Sequence, residues 1–331
     1  MDKEALRIIY MGTPEFAVES LRRLVEGGYN VVGVVTMPDK AVGRHHDTLS
    51  QSEVKKYALS QGLKVMQPER LRDEAFLEEL RALRADLQIV VAFRMLPEVV
   101  WDMPRLGTFN LHASLLPQYR GAAPINWAVI NGEEETGVTT FFLQHDIDTG
   151  NIIAQRRTPI GEDENVGDVY DRLMHMGGDL VVETVDAILR GDVQTQPQAE
   201  LCEGVALRPA PKIFKDTCRI PWHAGVKRCH DFVRGLSPYP GAWTELLTQG
   251  TTSEPHTIKI YKARPAKNLR VPDGQAASGS LWKGGPTQDG LFVTLPDGVL
   301  EILELQMAGK RRMSAADFLR GYRFEGSECL A

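Results

Sequence analysis

The order of apolar and helical segments at the start of the chain restricts its fold more than any other feature. Leu6 to Met11, with the apolar run Ile8 to Met11, is typical of a buried strand, and Gly12-Thr13-Pro14 then turns the chain into a predicted helix that ends at Gly27-Gly28. A second apolar strand, Val31 to Thr36, follows. Two strands joined by a helix form a right-handed crossover and lie parallel in one sheet. We therefore predict an open, mostly parallel, Rossmann-like α/β sheet, with Thr13 as helix N-cap and Pro14 as the first helical residue.

The following segments extend this pattern to about residue 190. Leu87 to Ala92 is so strongly apolar that we expect a central strand covered on both faces. Residues 37–50 are polar and rich in helix and strand breakers, which predicts a loop. Further predicted elements are helices at 52–61, 73–84 and 165–189, the last with a weak point at Gly177-Gly178, and strands at 64–66, 108–111, 138–143 and 152–157.

The second part of the chain has a different organisation. Residues 191–220 have weak periodicity and several prolines, so we interpret them as a linker. A helix at 224–236 and five short strands between 242 and 306 then predict a small β-barrel resembling an oligonucleotide-binding fold. We expect Ser314 to cap a last short helix. The predicted domains are thus 1–190, a linker at 191–220, and 221–331.

Composition excludes several classes of protein. The four cysteines have no metal-site spacing and form no disulfide framework, so a reducing cytoplasm is the expected setting. The first apolar run is too short for a signal peptide, and no segment is long enough to cross a membrane. His45, His46 and Asp47 are neighbours on a loop and lack further ligands, so no metal is expected. No oligomerisation feature is visible, and a monomer is the expectation.

Charge divides unevenly along the chain. Residues 206–331 carry 18 Lys and Arg against 12 Asp and Glu, whereas the whole chain has a net charge of −6. A basic region on an acidic body indicates a polyanionic partner, although a simple fluctuation between domains is the alternative.

Three polar residues follow or end predicted strands of the first domain. Alternation along a strand puts Asn110 and His112 on one face, and Asp148 follows the strand at 138–143. Such strand ends form sites in open α/β sheets. Asn110 and His112 can stabilise an oxyanion, while Asp148 can favour a protonated imidazole. From spacing alone, a capped strand end, a buried histidine and an Asx turn remain open as alternatives.

The motifs around these residues resemble those of the folate-dependent formyltransferases. The likeness rests on Asn110-Leu-His112-x-Ser114-Leu115-Leu116-Pro117, on Arg120-Gly121-Ala122-Ala123-Pro124 and on Asp148-Thr149-Gly150. Met11 to Ala17, Val35 to Arg44 and Ala308 to Ala315 resemble the branch of this family that acts on initiator methionyl-tRNA. The resemblance covers nearly the whole chain.

This resemblance implies the substrates and the residues that contact them. It implies 10-formyltetrahydrofolate as formyl donor and initiator methionyl-tRNA as acceptor, with direct attack by the α-amine. The implied catalytic residues are Asn110, His112 and Asp148. The implied folate contacts are Ser114, Leu115, Leu116, Pro117, Ala92 and Phe93. The implied tRNA contacts are Arg44, Lys212 and Lys215, and the basic cluster Lys310, Arg311 and Arg312 adds a further predicted RNA contact.

Three departures from the family pattern and three rival functions qualify this interpretation. His45-His46-Asp47 makes the Arg44 loop less basic, Asp146 offers a second carboxylate near Asp148, and Arg94 stands where relatives commonly carry a glycine. We expect Arg94 to be a solvated loop residue. The rivals are a formyltransferase for a small amine, a dinucleotide-dependent oxidoreductase, which the missing three-glycine fingerprint disfavours, and a non-catalytic RNA-binding protein.

Overall fold

A computed structural model describes residues 2–42, 48–248, 254–284 and 290–331 of the protein. It divides the chain into two compact units. The first consists of Met1–Pro124, Thr136–Thr158 and Tyr170–Pro209, and the second of Ile125–Glu135, Pro159–Val169 and Ala210–Ala331. This division follows spatial contacts rather than sequence pattern, so the domain limits at 190 and 220 stay predictions.

Strands and helices alternate through the first two thirds of the chain. In chain order they are β1 (Ile8–Gly12), α1 (Glu15–Glu26), β2 (Val31–Val35), β3 (Lys40–Val42), β4 (Thr48–Ser50), α2 (Glu53–Ser60), β5 (Val65–Met66), α3 (Glu74–Ala82), β6 (Leu87–Val91), α4 (Glu98–Trp101), β7 (Thr108–His112), α5 (Pro124–Ile130), β8 (Glu135–Phe142), β9 (Ile152–Pro159), α6 (Val166–Arg190) and α7 (Gln198–Cys202).

The main sheet of the first unit is mostly parallel, as predicted. Over the described residues its strand order is β5-β2-β1-β6-β7-β8-β9. The pairs among β5, β2, β1, β6 and β7 are parallel, and β8 joins β7 antiparallel. All residues of β6 are buried and the strand is fourth of the seven, which confirms its predicted central place. The carboxyl ends of β6 and β7 therefore meet at one edge of the sheet.

Two local predictions in this unit are wrong. Pro14, with extended ψ of 174°, is the N-cap of α1, so the helix begins one residue later than predicted and Thr13 does not cap it. The hydroxyl of Thr13 is buried without a hydrogen-bond partner among the described residues. The segment predicted as a loop contains the antiparallel pair β3 and β4, joined by Ala41↔Leu49 and its neighbours. Arg44, His45, His46 and Asp47 lie outside the described residues.

The second unit contains an antiparallel, nearly closed barrel, which confirms the predicted fold class. From Ala210 onward its elements are two 3₁₀ turns (Asp216–Cys218 and Trp222–Ala224), α8 (Val226–Gly235), β10 (Ala242–Thr248), β11 (His256–Pro265), β12 (Leu281–Gly284), β13 (Gly290–Leu295), β14 (Gly298–Met307), β15 (Met313–Ser314), α9 (Ala315–Gly321) and β16 (Glu328–Leu330). The described strands follow the order β12-β13-β14-β11-β10-β16, with β15 beside β14. A bridge between Ser280 and Cys329 links the two ends of this order. Ser314 caps α9 by accepting the N–H of Asp317, as predicted.

Candidate active site

Strand β7 carries two of the predicted site residues. It pairs with β6 on one side and with β8 on the other, so both of its edges are hydrogen-bonded. Asn110 and His112 are two residues apart and therefore point to the same face of the sheet. Asn110 is half-buried, and His112 is only 7% exposed. An internal strand thus fixes the spacing of the two side chains.

Asp148 reaches His112 from the loop after β8. Its Oδ2 lies 3.9 Å from Nδ1 of His112 and accepts the backbone N–H of Gly121 at 3.0 Å. Its φ of 54° is left-handed, a conformation that costs a non-glycine residue on the order of 1 kcal/mol or more. Asp146 is exposed, and its carbonyl accepts the hydroxyl of Thr149. Of the two candidate carboxylates, the structure therefore brings Asp148 to His112.

The hydrogen bonds of His112 define which of its nitrogens can act on a substrate. Nε2 lies 2.8 Å from the carbonyl oxygen of Tyr119. A carbonyl only accepts, so Nε2 carries a hydrogen and donates it. Nδ1 faces the carboxylate of Asp148 at 3.9 Å, a distance too long for a direct hydrogen bond. Nδ1 is therefore the ring nitrogen that can act on a substrate.

The amide of Asn110 is available to a ligand. Within the described part of the chain, no hydrogen bond engages this side chain. Its neighbours across the sheet are Val90 on β6 and Phe141 on β8, both apolar and buried. Polar groups in such surroundings normally have partners. A half-buried amide beside apolar side chains, with its N–H groups unused, is therefore suited to bind a substrate oxygen.

The turn Ser114 to Pro117 is held rigidly at the end of β7. Thr139 Oγ1 donates to the carbonyl of Ser114 at 2.6 Å and accepts the N–H of Leu116 at 3.2 Å. Gln155 Nε2 donates to the carbonyl of Leu116 at 2.8 Å. Ser114 Oγ donates to the carbonyl of Gln118 at 2.7 Å. Leu115 packs so closely on β8 that a Cβ added at Gly137 would lie 2.6 Å from its Cδ2.

The segment after β6 lies at the same edge of the sheet. Ala92 is exposed, with a left-handed φ of 47°, and Phe93 is half-buried. The prediction of a solvated Arg94 is wrong, because its guanidinium donates to the carbonyls of Pro68 and Glu69 and lies 5.6 Å from the ring of Phe93. Burial also lowers the pKa of Arg94. Arg94 therefore fastens this segment to the neighbouring loop.

The predicted RNA contacts of the second unit fall into two groups. Lys212 Nζ lies 5.5 Å from the ring centre of Phe214, and Lys215 Nζ lies 6.0 Å from that of Trp243. Phe214 is 60% exposed. Arg219 also lies over Trp243, at 5.3 Å. This cluster of Lys212, Phe214, Lys215, Arg219 and Trp243, the linker cluster, combines cations with aromatic faces.

The second group is the predicted cluster before α9. Lys310 and Arg311 are exposed and have no ion pair among the described residues. Arg312, in contrast, pairs with Glu304 and stacks 4.5 Å from the ring centre of Tyr261. Its charge is thus already partly neutralised within the barrel.

No group of three or more His, Cys, Asp or Glu is arranged to hold a metal ion within the described residues. No helix in the described part of the chain has the length and apolar character needed to cross a membrane.

Two residues that the sequence did not indicate lie at the candidate sites in the structure. Gln198 lies in the segment interpreted as a linker, yet its buried side chain bonds to the Asp148 loop at the carbonyls of Asp148 and Gly150. Pro197 before it was a usable helix-start signal. Phe214 stands between Lys212 and Lys215, and aromatic residues interleaved with lysines are a sequence sign of single-stranded nucleic-acid binding.

Comparison with known families matches both parts of the chain. Residues 6–185 match the family model described as formyl transferase, and residues 212–323 match the one described as formyl transferase, C-terminal domain. A curated methionyl-tRNA formyltransferase from Parabacteroides distasonis is 63% identical over 327 residues, covering 98% of each chain. The one from Bacteroides fragilis is 59% identical over 322 residues, covering 97% of each.

Solved structures share the fold at much lower identity. HypX from Aquifex aeolicus in complex with tetrahydrofolic acid has a TM-score of 0.61 at 18% identity, covering 95% of this chain and 47% of that one. An N-formyltransferase from Helicobacter canadensis, in complex with folinic acid and dTDP-3-aminofucose, has a TM-score of 0.61 at 19% identity, covering 90% and 98%. With matches to both family models and near full-length relatives at such identity, the chain belongs to the formyl transferase family.

Proposed function

We propose that this protein transfers the formyl group of 10-formyltetrahydrofolate to the free α-amine of initiator methionyl-tRNA. The observation that carries the proposal is the pairing of His112 with Asp148 beside the unengaged amide of Asn110 on a formyl transferase fold. The choice of acceptor is supported by the curated names of the near full-length relatives and by the Ala308–Ala315 motif.

The reaction needs stabilisation of a tetrahedral oxyanion. The amine nitrogen attacks the formyl carbon, and the carbonyl electrons move onto its oxygen. Asn110 donates to this oxygen from its side-chain amide, and the protonated ring of His112 donates from Nδ1. Fixed donors of this kind are worth about 100- to 1000-fold in turnover each. The bond from the formyl carbon to the folate nitrogen then breaks.

Asp148 has the proton-handling role in this proposal. The attacking amine must lose a proton, and the departing folate nitrogen must gain one, so the transfer needs no outside acid or base. The carboxylate of Asp148, 3.9 Å from His112, accepts the amine proton directly or through a water molecule and passes it toward the folate nitrogen. The N–H of Gly121 fixes the oxygen of Asp148 that faces the ring.

The folate is proposed to lie along the carboxyl ends of β6 and β7. Ala92 and Phe93 follow one strand, and the turn of Ser114, Leu115, Leu116 and Pro117 follows the other. Both segments are braced by side-chain hydrogen bonds from behind, through Arg94 and Thr139. A preformed apolar edge of this kind suits a flat heteroaromatic ring.

We assign the tRNA to the basic residues of the second unit. Lys212, Lys215, Lys310 and Arg311 supply phosphate contacts, and Arg312 contributes only where it leaves Glu304. Phe214 offers an exposed ring for an unpaired base. Arg44, outside the described residues, remains a proposed contact.

We further propose a cytoplasmic monomer. Cys202, Cys218, Cys229 and Cys329 are all unpaired, as expected in a reducing compartment. Light scattering of the purified chain tests the oligomeric state.

One acceptor assay tests the function directly. The protein is mixed with 10-formyltetrahydrofolate and either methionyl-tRNA or a free nucleotide-linked amino sugar, and formyl incorporation is followed. We expect incorporation into the initiator tRNA and at least 100-fold less into the sugar. Transfer to the sugar alone would assign the chain to the small-amine formyltransferases, and transfer to neither would contradict the proposal.

A further inference from the structure

The side chain of Gln198, the first residue of α7, is fully engaged within the first unit. It is 1% exposed. Nε2 donates to the carbonyls of Asp148 at 2.9 Å and Gly150 at 2.8 Å. Oε1 accepts from the Arg120 guanidinium at 2.7 and 3.1 Å. A carboxamide has two N–H donors and two oxygen lone pairs, so every bonding position of Gln198 is in use.

These bonds join the two loops that hold the candidate catalytic pair. On one loop, Arg120 lies between Tyr119, whose carbonyl accepts from His112, and Gly121, whose N–H binds Asp148. The other loop carries Asp148 itself. Gln198 therefore hydrogen-bonds neither His112 nor the Asp148 carboxylate, but it binds the Arg120 side chain of one loop and two backbone carbonyls of the other.

The backbone of Asp148 needs outside support. Its left-handed φ of 54° is unfavourable for an aspartate, and such conformations persist only when surrounding contacts impose them. The bond from Gln198 to the Asp148 carbonyl is one such contact, and the bond to Gly150 is a second from the same amide. Without them, we expect the loop to relax and the 3.9 Å separation from His112 to increase.

The segment around Gln198 is itself anchored at both ends. Gln196 and Ile152 exchange backbone hydrogen bonds of 2.8 and 2.9 Å on one side. On the other side, the carbonyl of Arg208 accepts the N–H of Tyr119 at 2.7 Å, and the N–H of Arg208 donates to Gln118 Oε1 at 2.9 Å. Residues 196–208 thus form a strap across the site loops rather than a free linker.

We propose that Gln198 is a positioning residue for formyl transfer, which sets the His112–Asp148 geometry by clasping the loops of Arg120 and Asp148. The proposal rests on the proposed function. Because Gln198 contacts neither reacting group, its loss should lower turnover and leave substrate binding intact. Misplacement of a catalytic group by about 1 Å can cost on the order of 100-fold in rate.

Two substitutions separate the contacts of Gln198, with Gln196 as matched control. Gln198→Glu keeps the acceptor for Arg120 but replaces the donors to the two carbonyls with an oxygen that repels them. Gln198→Met keeps similar volume and removes all four bonds. Gln196 belongs to the same strap, but its side chain is exposed and has no hydrogen bond among the described residues. Gln196→Glu and Gln196→Met therefore introduce the same side chains into the same segment without removing a hydrogen bond to the site loops.

The measurement is the steady-state kcat and KM for both substrates, with unfolding temperatures of every variant. We expect kcat to fall about 10- to 100-fold in both Gln198 variants, with each KM within threefold of wild type and both Gln196 variants unchanged. In the double variant Gln198→Met, Arg120→Met, we expect kcat to be less than threefold lower than in Gln198→Met alone. The two residues bond to each other, so removing the second breaks no further link between the loops.

The outcomes that overturn the proposal are distinct. Unchanged kcat in folded Gln198 variants, or a rise in one KM that accounts for the whole loss, contradicts the positioning role alone. A wild-type protein that formylates no methionyl-tRNA contradicts the proposed function and this proposal together. If Gln198→Met does not fold, Gln198→Glu and Arg120→Met provide the same test.

Discussion

At the residue scale, the role of His112 follows from its two neighbours. Nε2 donates to the Tyr119 carbonyl, so only Nδ1 can act on a substrate. Asp148 places a carboxylate 3.9 Å from this nitrogen. The proposed role of Asp148 depends on its charge, as proton acceptor and as partner of His112, and the charge can be separated from the shape of the side chain.

Substitution of Asp148 by Asn tests this role. The amide keeps the size of the side chain and one oxygen for Gly121, but it removes the negative charge. Because the variant can neither accept the amine proton nor place a charge beside His112, we expect kcat for formyl transfer to fall about 100- to 1000-fold. Asp146→Asn, on the same loop but exposed, should stay within threefold. A similar small effect of Asp148→Asn would disprove the assignment.

The second donor is tested by Asn110→Ala. The amide has no partner among the described residues, so its removal breaks no hydrogen bond of the fold. We expect an unfolding temperature close to that of wild type and a fall in kcat of about 100- to 1000-fold. Single-turnover formyl transfer with both substrates saturating is the measurement. Turnover within threefold of wild type would remove Asn110 from the proposed oxyanion site.

At the element scale, α1 and α6 are joined by a network around Glu19. Glu19 is 6% exposed and accepts from Arg22 at 2.7 Å and Arg23 at 2.8 Å on its own helix, and its Oε1 lies 3.2 Å from Nδ1 of His175 on α6. Arg23 also pairs with Asp179 of α6. Burial raises the pKa of Glu19, but the hydrogen bonds from Arg22, Arg23 and His175 outweigh burial and lower it to about 2.

This shift makes the helix pairing sensitive to acid. Because the folded pKa lies below the ordinary value of 4.5, the carboxylate stabilises the fold fully above pH 4.5 and loses that effect as the pH falls toward 2. We expect Glu19→Gln to cost at most about 3 kcal/mol at pH 7 and roughly half as much at pH 3. Calorimetric unfolding at several pH values measures the difference.

Glu26→Gln is the control for this prediction. Glu26 also pairs with Arg22, at 2.8 Å, but its side chain is 58% exposed, so we expect a loss below about 1 kcal/mol. A loss in Glu19→Gln that is the same at pH 7 and pH 3 would show that the carboxylate charge is not its source.

The sequence predicted those elements whose apolar residues by themselves indicate a strand or a helix. β1, β2 and β6 are short, predominantly apolar segments, and their predicted limits differ from the observed ones by two residues at most. β3, β4 and helix α7 are only three to five residues long, too short for a periodic pattern to indicate them. Their stability comes from contacts that the sequence does not display.

The glycines of α6 show the same limit. The sequence predicts a weak point at Gly177-Gly178, but α6 continues through both residues. A Cβ on Gly177 would lie 2.6 Å from Leu111 of β7, and one on Gly178 would lie 2.9 Å from Arg23 of α1. Both glycines thus permit close packing, which depends on the partner surface. Gln198 was missed for this reason too, because its partners at Asp148 and Arg120 are 50 and 78 residues away.

At the scale of the whole molecule, the linker cluster is a place where the uneven charge of the chain can contribute to RNA binding. Residues 206–331 are net positive in a chain that is net negative. Cations attract the phosphates of any nucleic acid, and this attraction weakens as salt rises. An aromatic face binds an unpaired base with little dependence on salt. Lys212, Lys215 and Phe214 stand side by side, so the two contributions can be measured on one surface.

The salt dependence of tRNA binding distinguishes these contributions. If Lys212 and Lys215 contact phosphates, replacing both with Ala should weaken tRNA binding and reduce the slope of log Kd against log salt by about 1.5 to 2. Phe214→Ala should weaken binding by about 1–3 kcal/mol with the slope unchanged, because stacking releases no counterions.

Lys267→Ala, a substitution of another exposed lysine of the second unit, serves as control. The folate KM should stay constant throughout. An altered slope in Phe214→Ala, or an unaltered one in the double lysine variant, would contradict this division of roles.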